Sequence, residues 1–351
     1  MSKAIIFIFI IAFILLGDRE FPAQSVTPAR INLQIVTDEA DAVLRILEKR
    51  EISGEITEAD WQNVFSSEGY RRLKKRELAM SRPFEDADFK TFVLSDELFA
   101  RRRVLAATLA SWKEIEAARP GTLALEYLPP SAVIRAKIYP VIKPKDNSFV
   151  FEIRENPAIF LYLDPKVTKE EFENTLAHEL HHIGFGTACP SPTVAQESKR
   201  YSLPMQKVFK WTGAFGEGFA MLAAAGSADV HPHAASPAED RARWEKDVAN
   251  FNNDLKALEK FFLDLEGGAL SVEKEIETAR SFYGEEQGAW YTVGWQMAVV
   301  IEKTFGRAKL IEVFCDQRKL LPTFNRAVKI YNRQYKTRFA SWSKELIGKL
   351  T

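Results

Sequence analysis

Apolar and polar positions change rhythm twice along the chain. From Thr37 to about Ala117 residues such as Ala42, Leu44, Ile46 and Leu47 are set among Lys, Arg and Glu in a mostly helical pattern. Within it, Leu105, Leu109, Trp112 and Ile115 mark a helix over Val104 to Ile115 that precedes a breaker pair, Pro120 and Gly121. Beyond Pro129 and Pro130, the runs Val133 to Ile142, Phe149 to Ile153 and Ala158 to Leu163 are β-branched or aromatic and punctuated by Pro, Asn and Asp, which predicts strands. After Gly186 the helical rhythm returns, broken by a polar loop from Gly226 to Pro237 and a turn at Gly267 and Gly268. The expected architecture is α+β and predominantly α-helical, with a small sheet ahead of a key helix.

That helix begins at a capping box, Thr168 followed three residues later by Glu171. Phe172, Leu176, Leu180 and Ile183 form its apolar stripe, and Gly184 predicts its end. Well round from the stripe lie Thr175, His178 and His182. Two histidines four apart on a helix point the same way, so both imidazoles can reach one Zn²⁺ at about 2.0 to 2.1 Å. Glu179 flanks them without binding and suits the general base for a metal-bound water whose pKa zinc lowers toward about 7. His181, in the same motif, projects to one side, where a supporting or plain surface role is expected.

Catalytic zinc needs a third protein ligand and an open position. A metzincin continuation would need Gly at 185 and His at 188, but Phe185 and Ala188 stand there. Glu217 lies just ahead of Ala223 to Ala225 in what reads as a buried helix. A carboxylate there needs a strong partner, and Zn²⁺ would supply it. The alternative is a helix-start Glu facing solvent. His231 and His233, on the polar loop, are the rival ligands.

These residues resemble the gluzincin metallopeptidases, in particular peptidase MA-like proteins with a Glu-Gly-x-Ala signature on a second helix. His178-Glu179-Leu180-His181-His182 matches HExxH, and Glu217-Gly218-Phe219-Ala220 matches the second signature. The resemblance covers roughly Val133 to Ile301 and implies a zincin-like core in which His178, His182 and Glu217 bind zinc while Glu179 activates water. Where several thermolysin-like members carry an Asp four residues after the ligand Glu, this chain has Met221. The family's strand before the metal helix offers its edge to extended substrate, a part expected here of Ile159 to Leu163. An oxyanion donor is also needed. Tyr291, sharing a helical face with Gly294, Trp295 and Ala298, is the first candidate, ahead of Tyr283 and His233; the alternative is an aromatic core position.

Composition adds limits. With 46% hydrophobic and 27% charged residues the chain can bury a sizeable core. Lys plus Arg equals Asp plus Glu, 48 against 48, leaving no broad positive field to attract nucleic acid. Lys3, the apolar run Ala4 to Leu16 and the polar stretch Asp18 to Glu20 have signal-peptide architecture, with Ala23 and Ser25 as a small-x-small cleavage site. The run is short for a membrane span, so a cleaved export signal over 1–25 is expected, with an uncleaved anchor as the alternative. Cys189 and Cys315 pair in an oxidising compartment or stay core thiols in a reducing one. The expected layout is a helical region over 26–128 packed as one unit with a zincin-like region over 129–351. The expected activity is peptide-bond hydrolysis on a peptide or protein substrate by an exported zinc enzyme. A non-catalytic zinc-stabilised envelope protein and another amide or ester hydrolase are the alternatives.

Overall fold

The computed structural model describes residues 30–284 and 287–350, so the expected export signal lies outside the described residues. The fold is α+β and predominantly helical, with one four-stranded sheet in the order β1-β2-β4-β3. The strands are β1 (Ile31–Ile35), β2 (Ile134–Val141), β3 (Phe149–Phe151) and β4 (Ala158–Tyr162). β1 and β4 flank β2 in parallel, with Ile31 opposite Ile134 and Ile138 opposite Ile159. β3 returns antiparallel along the other side of β4, with Phe149 opposite Phe160. Three strands follow the sequence pattern. The first was not legible, since its alternation of half-buried and exposed residues spans only a few positions ahead of a strong helical signal.

The sheet is covered on both faces, which explains why β4 reads as an unbroken apolar run. Ile134, Ile138, Ile159 and Leu161 pack into one core with Phe172, Leu176, Leu180 and Ile183 of α7 (Lys169–Ala188). Tyr139, Val141, Ala158 and Phe160 face the other way, onto Leu73 of α3 (Glu68–Ala79). The remaining N-terminal helices, among them α1 (Asp38–Glu51) and α5 (Asp96–Lys113), complete the first core. Pro120 and Gly121 do not break the chain as expected. They sit in the first turn of α6 (Ala118–Glu126), where a missing amide hydrogen costs no helical bond.

A second, aromatic-rich core gathers residues from α9 (Leu203–Thr212), α10 (Gly216–Ala225), α12 (Phe251–Glu266), α14 (Ala289–Phe305) and α16 (Gln317–Tyr335). Phe185 of α7 packs against both cores, so the helix carrying the HExxH motif is the seam between them. Cys189, which caps α7, forms a disulfide with Cys315 at the end of α15 (Arg307–Phe314) and so joins the seam covalently to the second core. No helix among the described residues is long and apolar enough to cross a membrane.

Candidate metal centre

The first wall of the site is α7. Its capping box is formed: the Glu171 amide donates to the Thr168 hydroxyl at 3.2 Å, and the Thr168 amide donates to the Glu171 carboxylate at 2.9 Å. The expected end at Gly184 is not observed, and the helix runs on to Ala188. Gly184 is there for packing. A β-carbon on it would lie 2.3 Å from Leu128 Cδ1, so the small residue lets α7 seat against the end of α6. With the apolar stripe buried in the first core, His178 and His182 are presented on the opposite side, half-buried.

The second wall is α10, whose first turn carries Glu217. Its carboxylate Oε2 lies 3.1 Å from His182 Nε2 and 3.3 Å from His178 Nε2, and the two Nε2 atoms are 3.0 Å apart. The two rings meet edge to face, with centroids 4.6 Å apart. Among the described residues this is the one cluster of three or more His, Cys, Asp or Glu side chains able to hold a metal ion. Donor atoms around a tetrahedral Zn²⁺ at about 2.0 to 2.1 Å are separated by roughly 3.3 Å, which matches this triangle. Two imidazole nitrogens and a carboxylate oxygen aimed at one point also repel unless a cation or protons lie between them. The residues therefore fit zinc.

Electrostatics agree. Burial would raise the Glu217 carboxyl, but His182 and His178 hold it well below the ordinary carboxylate range. Burial lowers the His182 imidazole, and Glu217 more than reverses this, pushing it up to about 9. Both shifts have one cause, the close approach of the Glu217 carboxylate to the two imidazoles in a buried setting. Burial raises the Glu179 carboxyl, against the field of both imidazoles. His178 Nδ1 is buried without a hydrogen-bond partner among the described residues, in keeping with Met221 at the position where an orienting Asp was absent from the sequence.

The third wall is α14. The Tyr291 ring lies nearly parallel to His178, with centroids 6.3 Å apart and planes 15° from parallel. Burial and then the Glu217 carboxylate push its hydroxyl pKa far up, so it remains a proton donor. Tyr283 stands beside it, rings 6.4 Å apart and steeply inclined.

Other expectations change. Of the two roles expected of His181, the plain surface one falls: the residue is fully buried, its ring edge-to-face with Phe219 of α10 at 4.6 Å, because the turn between His178 and His182 faces the α7–α10 contact. His231 and His233 stand outside the metal cluster. The His233 ring bonds Gln287 at 2.6 Å and Ser236 at 3.1 Å, and His231 Nδ1 accepts the His233 amide. The strand over Ile159 to Leu163 has no edge to offer along Ala158–Phe160, since β4 lies between β2 and β3; the outer strand on that side is β3. The packing that makes Glu217 reach the histidines was also hidden in the sequence. A β-carbon on Gly294 would lie 2.6 Å from the Phe215 carbonyl oxygen, so α14 crosses the start of α10 at a glycine, a relationship that only a pair of glycines on separate apolar helices could have signalled.

A helix-borne pair of imidazoles closed by a carboxylate from a second helix, beside a small mixed sheet, defines a candidate mononuclear zinc centre of the hydrolase type. The chain belongs to the family described as "putative zinc dependent peptidase (DUF5700)", whose profile matches residues 44–332. That match reaches well beyond Val133 to Ile301 and takes in most of the N-terminal helices, so they are part of the family's common chain. No curated protein and no solved structure matched the sequence.

Proposed function

We propose that this protein is an exported zinc metallopeptidase working by a gluzincin-type mechanism. The observation that carries the reading is the convergence of His178, His182 and Glu217 from two helices onto one point, with Glu179 in the same electrostatic field. Zinc held by these three residues would supply Lewis acidity for the scissile carbonyl and for the attacking water. Glu179 takes a proton from that water as its oxygen bonds to the carbonyl carbon, then returns the proton to the nitrogen as the C–N bond breaks. Tyr291 donates a hydrogen bond to the oxygen on which negative charge develops. An extended peptide aligns along the free side of β3, whose continuation is pressed against α7: a β-carbon on Gly186 would lie 2.8 Å from Ile153 Cγ2.

Export is supported by the amino-terminal pattern and by the Cys189–Cys315 bond, which suits an oxidising compartment. The test of the enzyme reading is Glu179→Gln. Purified wild type should carry zinc and cleave members of a mixed peptide library in a chelator-sensitive way, whereas the variant should keep its zinc and lose at least about 100-fold in rate. Full hydrolysis by the variant, or a wild type that binds zinc without cleaving anything, would remove the peptidase assignment.

A further inference from the structure

A tyrosine has one hydroxyl proton, and the site asks two things of Tyr291. Its hydroxyl interacts with the Glu217 carboxylate, and the proposed reaction needs a donor for a developing oxyanion. One proton cannot serve both acceptors. A second phenol stands next to it. The Tyr283 ring is steeply inclined to the Tyr291 ring, centroids 6.4 Å apart, and its half-buried hydroxyl also lies in the field of Glu217.

The chain is built to bring Tyr283 there. It lies two residues beyond the end of α13 (Val272–Ser281), where the backbone turns back at once. Gly284 takes a φ of +70°, a left-handed conformation that favours glycine. Gly288, the residue before α14, donates its amide to the Tyr283 carbonyl at 2.6 Å, and the Trp290 amide donates to the Phe282 carbonyl at 3.1 Å. A β-carbon on Gly288 would lie 2.8 Å from the Tyr283 carbonyl carbon and 2.5 Å from the Phe282 carbonyl oxygen, so only glycine permits this closure. The fold therefore pins Tyr283 against the first turn of α14, the turn that carries Tyr291.

We propose that Tyr283 is a second substrate-facing hydroxyl, so that the oxyanion formed during peptide cleavage meets a Tyr283–Tyr291 pair while one proton of the pair remains available to Glu217. This deepens the peptidase reading and rests on it for turnover, so the test has a binding measurement as well. A phosphinic dipeptide, which presents a tetrahedral anionic phosphinate in place of the scissile amide, is titrated calorimetrically against zinc-loaded wild type and Tyr283→Phe. The substitution keeps the ring and removes the hydroxyl. Phosphinate affinity should weaken about 10- to 100-fold, and kcat on a cleaved peptide should fall by a similar factor with KM, zinc content and Tm unchanged. A merely structural Tyr283 would move Tm and leave affinity and kcat alone. Unchanged phosphinate affinity overturns the inference whether or not the wild type turns over peptides. Cleavage by both proteins at equal rate sinks Tyr283 alone, and a wild type that neither binds phosphinate nor cleaves peptide sinks both readings.

Discussion

Gly218 of α10 lies against Trp295 of α14 backbone to backbone: a β-carbon at 218 would sit 2.0 Å from the Trp295 amide nitrogen and 2.2 Å from the Tyr291 carbonyl oxygen. The glycine of the Glu-Gly-x-Ala signature is thus what lets the helix bearing Glu217 seat against the helix bearing Tyr291. Gly218→Ala should push the two helices apart, since no flexible side chain can yield there. The expected cost is about 3 kcal/mol or more, with zinc affinity falling as Glu217 is displaced. Gly216→Ala is the matched control. A β-carbon there meets nothing within 4 Å, so it should be neutral or raise stability by up to about 1 kcal/mol through helix propensity. Thermal unfolding and zinc titration of both variants check the pair, and equal Tm losses would refute the close-contact account.

The proposed ligand set predicts a sharp split among the carboxylate and loop substitutions. Glu217→Ala should cost at least about 100-fold in zinc affinity, because two imidazoles alone hold zinc poorly. His231→Ala and His233→Ala should leave the affinity within about threefold, since the His233 ring is taken up by Gln287 and Ser236. Competitive chelator titration decides. Strong zinc loss in a loop variant with Glu217→Ala near wild type would reverse the assignment.

How much of this was legible in the sequence depended on range. The capping box at Thr168 and the histidine pair at 178 and 182 are local, fixed by helix geometry alone, and both are seen where the spacing puts them. Glu217 could be singled out because a lone carboxylate ahead of an alanine run needs a partner, and its oxygen is found 3.1 Å from His182. What stayed hidden is set by contacts between distant segments. Gly184 looked like a stop signal and is a packing glycine under Leu128, His181 could be read as supporting or as surface and lies buried on Phe219, and β4 looked like an edge until β3 folded over it. A glycine or a histidine has the same local signature in either role, so only the neighbour across the interface decides.

The Cys189–Cys315 bond closes a loop with a sequence separation of 126, long enough for its removal to release substantial chain entropy. Cys189→Ser with Cys315→Ser should lower stability by about 2–5 kcal/mol. Zinc affinity should change far less, because His178 and His182 are fixed upstream by the apolar stripe of α7 and Glu217 by the α10–α14 contact. Urea unfolding and zinc titration of the double variant separate these effects. A collapse of zinc binding at full stability would show that the bond positions the ligands.

Glu39, in the first turn of α1, gives stability a pH dependence remote from the metal. It is 1% exposed; one oxygen accepts the Ile142 amide at 3.1 Å and the other has no partner among the described residues. Burial, helped by Asp38 and opposed by the Ile142 hydrogen bond, raises its pKa from 4.5 to about 8. Between those values the folded protein holds a proton that the unfolded chain has released. Its contribution is therefore fully present below about pH 4.5, declines as pH rises, and is lost once pH passes about 8. Glu39→Gln keeps the acceptor for Ile142 and cannot ionise. Relative to wild type it should gain stability steadily from pH 5 to pH 8.5, by an amount on the order of a few kcal/mol at the upper end. Urea unfolding at pH 5, 7 and 8.5 measures this, and parallel stability profiles for the two proteins would mean that Glu39 is ionised in the fold despite its burial.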